Sequence, residues 1–297
     1  MNSILEVIRL VMGISAGLSG MCLNAWIVAV NAKDWWKGIS LSTCDLILSL
    51  IGLFNFILQF DMILDLVFTG FQISAGFVRE AHLRLLNVVI CLVSCNYWFT
   101  VWLSTYYCFR IVSFASGVLY ILKRRIHTII PKLLALSVVA SVCISIPAFW
   151  NMSAFFENYG QNVTTKEDMI IIITPSYVAT LMTGTVVPLV LTLLPTAVTL
   201  NSLRRHTKKM KNIVSTKAHI RAVKTMVLLI ILHMAFYAVS MSILLNSFNI
   251  DDTAQYFCWY FVLFHSTLQA IVLIIGNSKM KRAGLCILKQ VCKLYDI

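Results

Sequence analysis

Residues without charge run through seven stretches of the chain: 11–30, 46–60, 85–109, 133–156, 169–203, 225–250 and 253–278. A helix rises about 1.5 Å per residue, so some 20 apolar residues cross the hydrocarbon of a bilayer. All but the second stretch exceed roughly 18 residues, and the second reaches that length if it begins near Ile39 and takes in Asp45. The pattern predicts an all-α membrane protein, a single domain of seven transmembrane helices. The spans are expected at about 8–30, 39–60, 84–109, 126–150, 174–202, 223–246 and 255–275, with a short amphipathic tail over 276–297. The first run is long enough to span and no small-residue cleavage site follows it, so it is expected to be the first helix rather than a leader.

Two stretches depart from simple spans. The apolar segment 66–78 is short and carries Thr69-Gly70 and Ser74-Ala75-Gly76, which reads as an extracellular loop lying on the bundle. The fifth run is too long for one straight helix and too short for two with a turn. Pro175 is expected to end its loop portion, and Pro188 and Pro195 to kink the helix within the bilayer.

Orientation comes from the basic residues. Of the 24 Lys and Arg, twenty fall on one side: Lys33, Lys37, Arg110, Lys132, the cluster at 123–125, those between 204 and 224, and those between 279 and 293. The other side holds Arg9, Arg79, Arg84 and Lys166. The positive-inside rule assigns the first set to the cytoplasm, and an odd number of spans then places the N-terminus outside and the C-terminus inside. Asn162-Val163-Thr164 is a glycosylation sequon in the loop assigned to the exterior; Asn151-Met152-Ser153 is a second match, but abuts the end of span four.

Composition agrees. Hydrophobic residues make up 59% of the 297 and charged residues 12%, with a mean hydropathy of +0.85; a soluble domain carries about 25% charge. The net charge of +12 is confined to short segments between apolar runs, which makes it a topology signal and not a nucleic-acid surface. The nine cysteines lie mostly inside apolar stretches, where free cysteine behaves as a small hydrophobe, and form no disulfide framework.

No enzymatic constellation is present. The six histidines, His82, His127, His206, His219, His233 and His265, lack metal-ligand spacing, and neither a phosphate-binding glycine loop nor a Gly-x-Ser-x-Gly elbow occurs. No cofactor or metal is expected. A transporter would place ionisable groups near the bilayer centre. Here the deep polar residues are Asn24, Asp45, Asn55, Asn96, His233, His265 and Gln269, with Asp45 close to the cytoplasmic end. Such side chains either hydrogen-bond between helices or face a ligand, and for His233 and His265 both readings stand.

The residues at the span ends resemble one family. Asn24, Trp26-Ile27 and Ala29-Val30-Asn31 precede Asp34-Trp35-Trp36-Lys37-Gly38. Leu103-Ser104-Thr105-Tyr106-Tyr107-Cys108-Phe109-Arg110-Ile111 closes span three, followed by Ser113-Phe114-Ala115-Ser116. Ser215-Thr216-Lys217-Ala218-His219 precedes span six, and Leu273 to Asn277 with Lys279-Met280-Lys281 ends span seven. This set resembles the type 2 (bitter) taste receptors of the G-protein-coupled superfamily over almost the whole length. The departures fall inside the membrane: Val89 and Val93 stand where relatives often carry an aromatic and an asparagine, Asn55 for an arginine, His233 for a tyrosine, and Ser266-Thr267-Leu268-Gln269-Ala270 for Pro-Ser-x-His-Ser. No Asp-Arg-Tyr closes span three and no Asn-Pro-x-x-Tyr lies in span seven. A vomeronasal type 1 receptor is the nearest alternative, against which the Ser-Thr-Lys-Ala-His run argues; a small transporter or channel is the alternative from another class.

The resemblance implies a multi-pass plasma-membrane receptor that binds a small organic bitter agonist from outside and activates a heterotrimeric G protein of the gustducin type. Pockets are mostly apolar with a few placed polar groups. The candidate lining is Val89, Val93 and Asn96 on span three; Leu181, Met182 and Thr185 on span five; Phe236, Tyr237 and Ser240 on span six; and Trp259, Val262 and His265 on span seven. Spacings of three and four residues keep each set on one helix face. On the cytoplasmic side, Tyr107, Arg110, Arg204, Lys208, His219, Lys224 and Lys279 are the candidates for G-protein contact. The tail, with Leu285, Leu288, Cys292 and Tyr295 on one side and Arg282, Lys289 and Lys293 on another, suits the inner membrane surface, and Cys286 and Cys292 are candidate palmitoylation sites.

Overall fold

The computed structural model describes residues 2–70, 75–112, 117–159, 175, 178–209, 213–245 and 252–295, and among them every regular element is a helix. Lipid supplies no hydrogen-bond partners, so each crossing segment must satisfy its backbone within itself, and the helix does so. The order is α1 (Asn2–Trp36), α2 (Thr43–Gly70), α3 (Ala75–Ile111), α4 (Val118–Tyr159), a π-helical turn (Met182–Val186) leading into α5 (Val187–Lys209), α6 (Ile213–Leu245), α7 (Asp252–Gly276) and α8 (Ser278–Tyr295). Six stretches are each long and apolar enough to cross: Leu10–Trp36, Thr43–Phe68, Asn87–Ile111, Leu119–Asn151, Val178–Arg204 and His219–Ser242. The seventh crossing is α7, whose Tyr260–Gly276 segment turns by 93° into Ser278–Cys286 of α8.

The helix ends follow local signals. Gly38, at φ +75°, closes α1: its N–H reaches the Trp35 carbonyl and the Ile39 N–H the Asp34 carbonyl, the paired bonds that a left-handed glycine makes possible. Ser42 caps α2. Its hydroxyl accepts from the Asp45 N–H at 3.1 Å and donates to the Asp45 carboxylate at 2.9 Å, an N-cap that starts the helix at Thr43 and not near 39. The expected end at 60 is also corrected, and so is the expected loop over 66–78 at 66–70 and 75–78, its residues 71–74 lying outside the described ones. Helix α2 continues to Gly70 and α3 begins at Ala75. The charges of Asp61 and Asp65 ended the apolar run on paper, but nothing before Gly70 breaks a helix, and Asp61 is buried.

In span five the irregularity lies before Pro188. Proline lacks an N–H and its ring crowds the carbonyl four residues earlier, here that of Gly184; the wider π turn over Met182–Val186 lets the chain pass. The helix then runs through Pro195. Gly184 packs against Ser94 of α3, where an added Cβ would stand 2.9 Å from the hydroxyl.

Helix α3 is the central element, touching α2, α4, α5 and α6, while α1 packs on α2 and α7, and α8 rests on α7 and α1. The burial pattern is inverted relative to a soluble protein. Leu136, Val139, Leu194 and Ile231 are exposed, whereas Asn24, Asn55, Gln59, Ser104, Thr199 and Gln269 are buried. Apolar faces meet lipid, and several of the buried polar side chains bond between helices. One such network joins α1, α2 and α7: Asn24 Nδ2 donates to the Gly20 carbonyl at 3.0 Å and reaches Gln59 Oε1 at 3.3 Å, Gln59 Nε2 donates to Thr267 Oγ1 at 2.9 Å, and Asn55 Nδ2 to Gln269 Oε1 at 2.9 Å.

Candidate functional site

Toward the end of the bundle where α1 starts, α2, α3, α6 and α7 converge on one cluster: Leu58, Leu92, Val93, Tyr97, Phe236 and Val262, with Val89, Val239 and Phe261 packed against it. Two imidazoles adjoin it. The His265 ring lies 4.4 Å from Phe236 and 5.4 Å from His233, whose ring is 4.2 Å from Tyr97. The Tyr97 hydroxyl donates to the His233 carbonyl at 2.7 Å, tying α3 to α6. His265 has neither nitrogen in a hydrogen bond, and His233 Nε2 is likewise unpartnered.

The structure thus brings Val89, Val93, Phe236, Val262 and His265 together from three helices. Asn96 is buried and its amide turns back to the Leu92 carbonyl of its own helix at 3.1 Å, leaving Oδ1 without a partner. Leu181 and Thr185 are buried, with the Thr185 hydroxyl bonded to the Leu181 carbonyl. Met182 is 43% exposed, and its sulfur accepts from Tyr237 at 2.9 Å, so Met182 does not share the buried position of Leu181 and Thr185. Ser240 is half-buried on α6, and Trp259 belongs to the first part of α7. Tyr97, Leu58 and Leu92 join the cluster without being among the candidate lining residues, and His233, for which a ligand-facing role stood open, adjoins it. Tyr97 was legible, since it continues the 89, 93 spacing by four.

At the opposite, basic end, Arg110 is exposed on the last turn of α3, and Lys123 Nζ donates to the Val112 carbonyl at 2.8 Å, a cation where a helix C-terminus favours one. The Tyr107 hydroxyl meets Cys44 Sγ at 3.6 Å. Arg204 and Lys224 are exposed, His219 is half-buried, and Lys208 lies in the last turn of α5. Lys279 is engaged within the protein: its ammonium lies 2.7 Å from Asp34, 3.3 Å from Asp45 and 2.8 Å from Asn31 Oδ1. Burial works against that charge, but the hydrogen bond to Asp34 and the charge of Asp45 outweigh it and hold the Lys279 pKa above the usual lysine value. Asn277 caps α8 by accepting from the Lys279 N–H at 2.9 Å, so the start of α8 is bound to α1 and α2. Asn162 and the segment 113–116 lie outside the described residues.

A separate cleft of about 540 Å³ opens between α1 and α7, lined by Met12, Ser15, Ala16, Ser19, Tyr260, Phe261 and Phe264. Among the described residues, no group of three or more His, Cys, Asp or Glu is placed to hold a metal ion.

Residues 1–292 match the family model described as "Taste receptor protein (TAS2R)". The chain is similar to taste receptor type 2 member 40 of Gallus gallus, 28% identical over 296 residues that cover 95% of this chain and 94% of the relative. It is also similar to member 7 of Pan troglodytes, 28% identical over 306 residues covering 94% and 91%, and to member 39 of Macaca mulatta, 29% identical over 277 residues covering 90% and 82%.

Proposed function

Because the chain belongs to the taste receptor type 2 family, the bitter-taste G-protein-coupled receptors of the plasma membrane, we propose that its agonist sits where α3, α6 and α7 converge and that its signal leaves through the basic end of the bundle. The observation that carries the first half is the meeting of Val93, Phe236, Val262 and His265 at one apolar cluster, with hydrogen-bonding groups that no protein partner uses. A ligand there touches three helices at once. It can shift a two-state bundle only by binding one arrangement better than the other, and the π turn before Pro188 makes α5 the element best suited to move.

In this reading the N-terminus faces outside and the basic end faces the cytoplasm, supported by the twenty-to-four asymmetry of Lys and Arg. Asn162 then carries glycan. Asn162→Gln is expected to abolish the endoglycosidase-sensitive shift of the receptor on a gel, and a wild-type band that never shifts, with that loop closed to impermeant labels, would reverse the orientation.

At the cytoplasmic end the partner is a heterotrimeric G protein of the gustducin type. Arg110 leads that contact, because it is exposed at the end of the central helix. Arg110→Ala is expected to keep surface expression and to lower agonist-driven nucleotide exchange several-fold; an unchanged maximum at equal surface density removes it from this role. Lys279, which ties α8 to α1 and α2, positions the neighbouring surface.

The test of the whole reading is a compound screen on the purified receptor, with nucleotide exchange on reconstituted gustducin as one readout and solute flux in proteoliposomes as the other. Exchange without flux supports the receptor. Flux without exchange would replace it by a transporter.

A further inference from the structure

His233 and His265 are 2% and 3% exposed, and between them hold three ring nitrogens without partners. The chemistry of the first is settled by its neighbour. His233 Nδ1 lies 2.7 Å from the Leu229 carbonyl oxygen; a carbonyl only accepts, so Nδ1 carries the hydrogen and Nε2 presents a bare lone pair. A further proton there would make a buried cation, and the rings around it, Tyr97 and His265, supply no anion to compensate. His265 in either neutral tautomer has one N–H and one bare nitrogen. The two ring centroids lie 5.4 Å apart, so neighbouring rings beside the apolar cluster carry an acceptor and a donor that no protein group takes up.

We infer that this pair reads a hydroxyl group. The agonists are neutral, apolar molecules bearing an alcohol or phenol, whose O–H donates to His233 Nε2 while the same oxygen accepts from the N–H of His265. This deepens the pocket reading above and rests on it. An ether or ketone can only accept and leaves Nε2 bare; an ammonium can only donate and adds an uncompensated charge; a carboxylate adds a charge and donates nothing. A hydroxyl meets both demands with one atom, as a water would. The ligand hydroxyl can therefore displace such a water without losing its bonds, whereas an ether displaces it and loses one. Val93, Phe236 and Val262 supply the apolar wall for the rest of the molecule.

The experiment compares 4-alkylphenols, from ethyl to octyl, with the matching 4-alkylanisoles on the full-length receptor in nanodiscs, read by the ligand-induced rise in melting temperature. Phenols are expected to stabilise the wild type at concentrations at least about tenfold below the anisoles. His233→Leu should erase that advantage, and His233→Gln, whose side-chain oxygen restores an acceptor, should keep part of it. The wild-type comparison and the Gln variant decide the matter where the Leu variant does not fold. Equal action of phenols and anisoles, no stabilisation by any phenol, or a phenol advantage that survives His233→Leu would each overturn the inference. Nucleotide exchange measured in parallel separates the two readings. Phenol-selective stabilisation with no exchange upholds the hydroxyl site and overturns coupling, and exchange driven equally by anisoles does the reverse.

Discussion

Replacing Gly20 by leucine is expected to remove the receptor from the cell surface and to lower the melting temperature of purified protein by about 10 °C or more. The reason is the crossing of α1, α2 and α7. Even a single methyl at Gly20 would collide with Gln59 Nε2 and Thr267 Oγ1, the two atoms that bond each other at 2.9 Å. Asn24, which donates to the Gly20 carbonyl and reaches Gln59 Oε1 and the Ser266 carbonyl, would be displaced with them. All of these side chains are buried. Each hydrogen bond lost with its partner left dry costs about 1–3 kcal/mol, and overpacking adds about 1–3 kcal/mol. For a chain of this size about 1 kcal/mol shifts the melting temperature by roughly 2–4 °C. Gly284→Ala is the control, because a Cβ there meets nothing within 4 Å. A Gly20→Leu receptor at wild-type surface density with an unchanged melting curve would show that the three-helix network does not hold the bundle.

What the sequence could reveal followed from what the bilayer demands. Spans were legible because lipid tolerates few charges, so gaps between charges mark helices. The same rule misjudged α2, where Asp61 sits inside a helix that nothing before Gly70 interrupts. Its start was within reach, since Ser42-x-x-Asp45 is a cap pattern and Gly38 a stop. The π turn was not, because its position depends on how the ring of Pro188 and the close approach of Gly184 to α3 are accommodated together. In the candidate pocket, faces of single helices were readable by spacing, as for Val89 with Val93 and for Val262 with His265. The pairing across helices, Tyr97 with His233 and His233 with His265, is a property of the bundle. Lys279 makes the same point at the other end: counted along the chain it is one more basic residue, and the 93° turn into α8 carries it to Asp34 and Asp45.

His265→Ala is expected to raise the EC50 of agonists roughly ten- to a hundredfold at constant surface expression. The imidazole contributes two things to the site, an N–H that no protein acceptor takes up and a ring face against Phe236 at 4.4 Å. Alanine removes both. An agonist that used the N–H is left with a buried acceptor and no partner, at a cost of about 1–3 kcal/mol, which the logarithmic relation between free energy and affinity turns into about one to two decades. Folding should suffer less than binding, because the bonds from Tyr97 to the His233 carbonyl and from His233 to Leu229 do not pass through His265. The effect should therefore appear as a shift of the dose-response curve with its maximum largely kept, in contrast to Arg110→Ala, which lowers the maximum and leaves the midpoint. If the curves of every agonist stay where they were, the binding site does not lie between α3, α6 and α7. The cleft of about 540 Å³ between Met12, Ala16 and Phe264 would then be the place on the bundle to test next.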